Sequence, residues 1–433
     1  MKINGKIVFI IADMIDFSRS MRARAIGRFN NHIPIGVLSL MTMLENNNFK
    51  TILYDNTILR LNNESFFNMI LNENSDSNIF CFSLNCINIF KAKDLVVRLK
   101  KHNENFIFIA GGPHVTLFEQ DCYPFFDYYV KGEGEYVLLD LIKSISINVF
   151  VTKTISGDRI KELDDLPIIN RDLININNYD RKSTLFLGKK VDNILSSRGC
   201  SFNCKFCNTV ELWNRKFYAH SAQRLIDEIK LLIEKYGTEV VYIRDDNFVN
   251  NRKRVIEFCS LLEKNNIHIE FQTYARIDLI DDELLKIMRE AGFISLFFGI
   301  ESGSDNTLKY IRKKYNRKAI YKGFDLIRKY DFKISTGFLF GFPYETKEDI
   351  DITIQTIKDI QPDWSFFQMV VGFPVSDMYY ECLNNNFVQE RVGSFFTIKP
   401  KYLDFNFLAD LEQKYEGEFN WRRYSEKQIY YKF

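Results

Sequence analysis

The chain has 433 residues, 46% of them hydrophobic and 15% aromatic, enough for two domains or one large barrel with an extension, with sizeable cores. Its 58 basic and 56 acidic residues leave a formal net charge of +2, which lacks the electrostatic footprint of a nucleic-acid binder. Eight cysteines are too few for a disulfide scaffold, and no apolar run approaches the roughly 18 residues of a membrane span.

The N-terminus is lysine-flanked and apolar, lacks a small-residue cleavage site and runs into Asp13 and Asp16. That pattern argues against a signal peptide and, with unpaired cysteines, for a reducing cytoplasm. The basic run 22–28 reads as solvated loop charge.

From the start to about residue 150, strand and helix patterns alternate. Strands are predicted at 6–12, 51–54, 78–84, 105–110 and 127–130, with helices at 35–44, 92–100 and up to 144. This alternation predicts an α/β domain, doubly wound and Rossmann-like, over residues 1–150. Asp55, Gly111, Gly112, His114 and Glu133 all fall at predicted carboxyl ends of strands, where such sheets bind ligands. Residues 151–190 read as a linker: the stretch is polar and irregular and includes Asp164-Asp165-Leu166-Pro167.

The alternation then restarts. Strands are predicted at 193–197, 239–244, 268–274, 295–300, 333–340 and 364–371, separated by helices at 221–236, 251–265, 281–291, 316–330 and 346–360. Six strands, each followed or preceded by a helix, suit a partial (β/α)6 barrel over residues 191–376, with chemistry at the carboxyl ends of its strands. Residues 377–433 form an aromatic extension without clear periodicity.

Cys200, Cys204 and Cys207 lie in Ser-Ser-Arg-Gly-Cys-Ser-Phe-Asn-Cys-Lys-Phe-Cys, directly after the first barrel strand. Three thiolates on one short loop suit three corners of a [4Fe-4S] cube, leaving one iron open to a ligand. Structural zinc is the competing reading, but it needs a fourth ligand and usually paired CxxC units. His220 and Cys259 make no such pair. The other cysteines, Cys81, Cys86, Cys122, Cys259 and Cys382, are scattered and read as core thiols.

The CxxxCxxC motif, with Phe206 before its last cysteine, resembles the radical S-adenosylmethionine (SAM) superfamily. The likeness continues along the barrel in Arg244-Asp245-Asp246-Asn247-Phe248, Tyr274-Ala-Arg276-Ile-Asp278, Gly299-Ile-Glu301-Ser302 and Gly337-Phe-Leu-Phe-Gly341-Phe-Pro343. It implies that Cys200, Cys204 and Cys207 bind the cluster and that Phe206, Asp245, Asp246, Arg276, Glu301 and Gly341 contact SAM. Asp245 and Asp246 would accept from its amino group, Arg276 would fork onto its carboxylate, and Glu301 would take the ribose hydroxyls. The bland readings are a helix cap at Asp246, an ion pair of Arg276 with Asp278 or Glu283, and an ordinary turn at Gly341. Phe373-Pro374 matches a later family element only in part.

Upstream, His32-Ile-Pro34-Ile-Gly36, Leu53-Tyr-Asp55, Ala110-Gly-Gly-Pro-His114 and Val130-Lys-Gly-Glu133-Gly-Glu135 resemble the cobalamin-binding domain that precedes the barrel in one subclass. The resemblance implies cobalamin (B12) near Asp55, Gly111, Gly112, His114 and Glu133. The Asp-x-His-x-x-Gly motif that supplies a cobalt ligand elsewhere is absent. The glycines suit close approach of backbone to a bulky planar ligand or simply a tight turn.

The implied activity is reductive cleavage of SAM to a 5'-deoxyadenosyl radical, followed by methyl transfer to an unactivated carbon of a secondary-metabolite-type substrate, small molecule or peptide. An external one-electron reductant of flavodoxin or ferredoxin type would supply the electron. Cyclisation, rearrangement or oxidation without methyl transfer keeps the same parts. A non-enzymatic iron–sulfur or cobalamin sensor has no use for SAM contacts on four further strands.

Overall fold

Short runs of Val, Ile and Phe become strands with both faces covered, as a parallel sheet requires. The computed structural model describes residues 3, 5–13, 32–179, 181 and 188–416; the basic run 22–28 lies outside them. The chain divides into two units, Met1–Asp180 and Arg181–Phe433.

In the first unit the strands are β1 Ile7–Ile11, β2 Thr51–Asp55, β3 Ile79–Ser83, β4 Ile107–Gly111, β5 Tyr128–Gly132 and β6 Thr154–Gly157. They form one sheet in the order β2-β1-β3-β4-β5-β6, and every pair is parallel. Phe80, Phe82, Phe108, Phe126 and Tyr129 fill one core cluster. The strand order reverses between β1 and β3, so the ligand crevice of this doubly wound fold lies beyond Ala12 on one side and Leu84 on the other.

β6 falls within the predicted linker. It extends the sheet beside β5. Further on, Arg171 is fully buried and the Tyr179 hydroxyl donates to the Asp55 carboxylate at 3.3 Å. The described residues from 151 to 179 therefore pack into the first unit. A four-residue edge strand and two anchoring side chains leave no periodic trace in sequence.

The second unit carries β7 Val191–Ile194, β8 Ser197–Arg198, β9 Tyr218–Ala219, β10 Val240–Ile243, β11 Glu270–Ala275, β12 Phe293–Glu301, β13 Lys333–Phe340 and β14 Trp364–Met369. Its main sheet runs β14-β13-β12-β11-β10-β7, six strands as expected, all parallel. Helices Ala222–Tyr236, Arg252–Lys264, Asp282–Glu290, Arg317–Ile327 and Lys347–Ile360 alternate with them. Each starts on a capping side chain, Ser221, Asn251, Asp281, Asn316 or Thr346, that accepts a backbone N–H of the first turn. Such caps are worth about 1 kcal/mol each.

The last predicted strand splits. β14 stays in the barrel sheet, while β15 Val371–Gly372 joins an antiparallel sheet with β16 Val388–Val392 and β17 Phe395–Ile398. Helix Phe405–Glu416 follows, and its Leu408 and Leu411 belong to the barrel's own hydrophobic core. Much of the extension is thus integral to the second unit.

Candidate functional site

The loop bearing the three cysteines leaves the sheet through Ser196 and Ser197, and both are held by Asp245 at the end of β10. The Asp245 carboxylate accepts from the backbone N–H of Ser196 at 2.7 Å and of Ser197 at 3.0 Å, and from both hydroxyls. The buried Arg254 guanidinium completes the knot, 3.4 Å from Asp245 and donating to the Ser196 carbonyl at 3.0 Å. Burial lowers the pKa of Arg254, and Asp245 partly offsets this. Next in the chain, Gly199 takes φ +94°, and a Cβ there would sit 2.0 Å from the Lys216 carbonyl oxygen. Only glycine makes that turn.

Each cysteine sulfur then meets a donor. Cys200 accepts from the Phe202 backbone N–H. Cys207 accepts from the Thr209 hydroxyl and backbone N–H. Cys204 accepts from Arg276 Nη1 at 3.7 Å. Burial pushes the Cys200 thiol up and the Cys207 thiol to about 11. Hydrogen bonds to sulfur are the means by which proteins hold and tune cluster thiolates, and iron displaces the thiol proton on binding. Among the described residues no three His, Cys, Asp or Glu side chains converge on a single-ion site.

Arg276 follows β11. Its guanidinium takes the Asp278 carboxylate with two bonds of 3.0 Å, the Lys313 carbonyl at 2.6 Å and the Cys204 sulfur, and it lies 3.6 Å above the Phe202 ring. The expected fork onto a ligand carboxylate is already occupied by Asp278. Arg276 acts on the cysteine loop. Asp245 is likewise committed, to Ser196, Ser197 and Arg254. The adjacent Asp246 is exposed and close enough to push up the thiols of Cys200 and Cys207. Beside it Asn247 is buried, with its Oδ1 lacking a hydrogen-bond partner. An orphaned acceptor next to a carboxylate whose charge reaches Cys200 and Cys207 fits a cationic amine.

Glu301 ends β12 just past a bulge and holds φ +68°, rare and strained for glutamate. Lys313 Nζ lies 3.2 Å from its carboxylate. Burial pulls Lys313 down, but Tyr315, Glu301 and Cys204 outweigh it and hold the ammonium above its ordinary range. The Tyr315 hydroxyl donates to the carbonyls of Gly299 and Ile300 at 3.3 Å each. Lys313 and Tyr315 are functional candidates that sequence reasoning missed; their only signal is the run Arg312-Lys313-Lys314.

Gly341, at φ +87°, turns the chain after β13. Glu345 accepts from the backbone N–H of Gly341 at 2.7 Å and of Phe342 at 3.3 Å, and burial raises its carboxyl to about 8. Phe206 packs 6.1 Å from the Phe342 ring, so the cysteine loop and this turn share one apolar wall.

In the first unit the charged candidates are spent internally. Asp55 caps helix Asn56–Leu59, accepting from Thr57 N at 3.0 Å and from Tyr179. His114 is buried, 3.4 Å from the Asp121 carboxylate, and burial lowers its pKa while Asp121 opposes that. Glu133 pairs with Arg159 at 3.1 Å and accepts from the Ile160 N–H. Asp55 and Glu133 are held in these contacts, while the buried His114 Nε2 makes no hydrogen bond. Gly112 takes φ +99°, and a Cβ there would meet Leu84 O at 2.7 Å. Gly111 and Gly112 thus join the ends of β3 and β4 by close backbone approach, next to the switch point. The fit is to a ligand held against backbone, not to one ligated by a histidine of this loop.

Comparison with known proteins bears on both units. The radical SAM superfamily model matches residues 194–357, and the B12 binding domain model matches residues 22–142. An uncharacterised methyltransferase of Pyrococcus horikoshii is 28% identical over 70% of this chain and 68% of its own length. The anaerobic magnesium-protoporphyrin IX monomethyl ester cyclase of Rubrivivax gelatinosus is 25% identical over 68% of this chain and 56% of its own. Among solved structures, the cobalamin-dependent SAM radical enzyme OxsB, with aqua-cobalamin and SAM bound, superposes with a TM-score of 0.75. That match is at 15% identity and covers 94% of this chain and 66% of OxsB, a likeness of fold. Among the described residues no helix is long and apolar enough to cross a membrane.

Proposed function

We propose, for a chain that belongs to the radical SAM superfamily and carries a B12 binding domain ahead of its radical SAM domain, that it methylates an unactivated carbon of a small molecule or peptide. The observation that carries this reading is the cysteine loop, three thiols each met by a donor, in one chain with a B12 domain. The likeness to a methyltransferase supports the reaction type. When bound, the cluster and SAM supply a deoxyadenosyl radical, and cobalamin supplies a methyl group.

The residues of this chain divide the work. Cys200, Cys204 and Cys207 hold the cluster. Asp246 and Asn247 accept from the SAM amino group, with Asp245 behind them fixing the loop. Glu301, steadied by Lys313, takes the ribose hydroxyls. Phe206 and the Gly341 turn wall the adenine side and exclude water. Gly111 and Gly112 let the corrin approach the first unit's backbone. The reaction needs a one-electron reductant and a reducing compartment, the cytoplasm. The chain spans roughly half to two thirds of the relatives it matches, and the substrate is part of the proposal only as a class.

The likeness to the cyclase favours a second reading, ring formation or oxidation without methyl transfer. Anaerobic reconstitution with iron, sulfide, cobalamin, SAM and reductant separates them by product analysis. Methyl transfer yields both deoxyadenosine and S-adenosylhomocysteine; the second reading yields deoxyadenosine alone. Neither product with any candidate substrate would favour a sensor.

A further inference from the structure

The net charge of the whole chain is close to zero, yet residues 306–324 carry seven cations and no acid: Lys309, Arg312, Lys313, Lys314, Arg317, Lys318 and Lys322. This run links β12 to helix Arg317–Ile327 and divides into two sides. Lys313 turns inward, 4% exposed and paired with Glu301. Lys309, Lys314 and Lys318 turn outward, exposed and without ion-pair partners among the described residues. Arg312 is paired with Asp377. Lys309, Arg312 and Lys314, with Asp278 and Tyr315, line an open depression of about 770 Å³.

That outer face connects directly to a cluster cysteine. Lys314 is peptide-bonded to Lys313, the Lys313 carbonyl accepts from Arg276 Nη2 at 2.6 Å, and Arg276 Nη1 donates to Cys204 Sγ at 3.7 Å. One peptide bond and two hydrogen bonds separate the exposed cations from the sulfur. Unpaired exposed cations repel one another and lower stability, so folding gives no account of their clustering.

We propose that the face built by Lys309, Lys314 and Lys318 docks an acidic one-electron carrier protein of flavodoxin or ferredoxin type, and that Arg276 couples this face to Cys204. The inference rests on the reading that Cys200, Cys204 and Cys207 hold a cluster. The step moves one electron from the reduced carrier to that cluster; the carrier is oxidised by one electron, the cluster is reduced by one, and no bond forms or breaks. Encounters of this kind are small, weak and electrostatically steered. The SAM and substrate side stays separate, because Lys313 and Glu301 face inward.

The test is the binding of a purified acidic flavodoxin to the reconstituted protein by titration calorimetry at low and high salt, with K309E/K314E/K318E beside wild type. A control, K253E/K264E/K358E, makes the same charge change on exposed barrel helices. The patch variant is expected to bind flavodoxin at least about tenfold more weakly at low salt and to lose most of the salt dependence. Flavodoxin-driven deoxyadenosine formation falls with it, while dithionite-driven formation matches wild type and thermal unfolding comes no earlier. Unaltered flavodoxin affinity in the patch variant, or an equal loss in the control, overturns the docking surface. So does single-stranded RNA binding that the patch variant loses while its flavodoxin affinity holds. A wild-type protein that assembles no cluster and makes no deoxyadenosine with dithionite overturns instead the radical reading beneath it.

Discussion

The two parallel sheets place their candidate residues alike, at carboxyl ends of strands, but use them differently. In the first unit Asp55 is held by Thr57 and Tyr179 and Glu133 by Arg159 and Ile160, while the buried His114 lies 3.4 Å from Asp121. In the second unit the charges split. Asp245 and Arg276 are consumed, while the buried Asn247 Oδ1 next to the exposed Asp246 has no hydrogen-bond partner. A cofactor held by sulfur and by contacts to a charged amino acid needs polar groups in reserve. A large planar one can be held by shape and backbone, with side chains kept for folding.

The largest expected effect is at the cysteines. Cys204→Ala should abolish the cluster's visible absorbance, reduce bound iron to background and lower SAM cleavage by at least about a thousandfold, on the order of 4 kcal/mol. A full cluster in that variant would break the comparison at its base.

Asp245→Ala tests whether Asp245 is structural. It strands buried Arg254, which should cost about 3–5 kcal/mol in denaturant unfolding of the second unit. Asp246→Ala should leave that unfolding within about 0.5 kcal/mol and raise the KM for SAM. The opposite pattern would return Asp245 to the ligand.

In the first unit, Gly112→Ala forces a side chain to φ +99° against Leu84. It should weaken cobalamin binding, read by the shift in cobalamin absorbance, with far-ultraviolet circular dichroism retained. His114→Ala should change cobalamin affinity by less than about twofold, because the ring is buried inside the unit. A large loss on His114→Ala would show that this histidine does reach the ligand.

The smallest effect is in pH dependence. The folded pKa of His114 lies below its ordinary value, so the unfolded chain binds more protons as pH falls. Its contribution to stability is complete above about 6.5 and declines from there toward the lower folded pKa, by at most about 1.4 kcal/mol per pH unit. His114→Asn should flatten the unfolding free energy of the first unit across that window; an unchanged slope would assign the titration to another group.

Much of this was legible beforehand because its causes are local. The second unit's helices begin on Ser, Asn, Asp and Thr caps that read directly from sequence. β6 and helix Phe405–Glu416 were not legible, since an edge strand and a short aromatic helix owe their places to the sheet and core they join.

The spacing of Cys200, Cys204 and Cys207 by itself put three potential ligands on one loop, with an iron–sulfur cluster and zinc as the competing readings, and the family likeness pointed to the cluster. Only the tertiary structure decided how the polar residues around it divide. Asp245 and Asp246 are neighbours just past the end of β10, one buried and the other exposed. Asp245 is held by Ser196, Ser197 and Arg254, brought together from 49, 48 and 9 residues away, while the charge of Asp246 reaches Cys200 and Cys207. Arg276 was settled in the same way, by Asp278, the Lys313 carbonyl and Cys204 closing on it from three segments of the barrel.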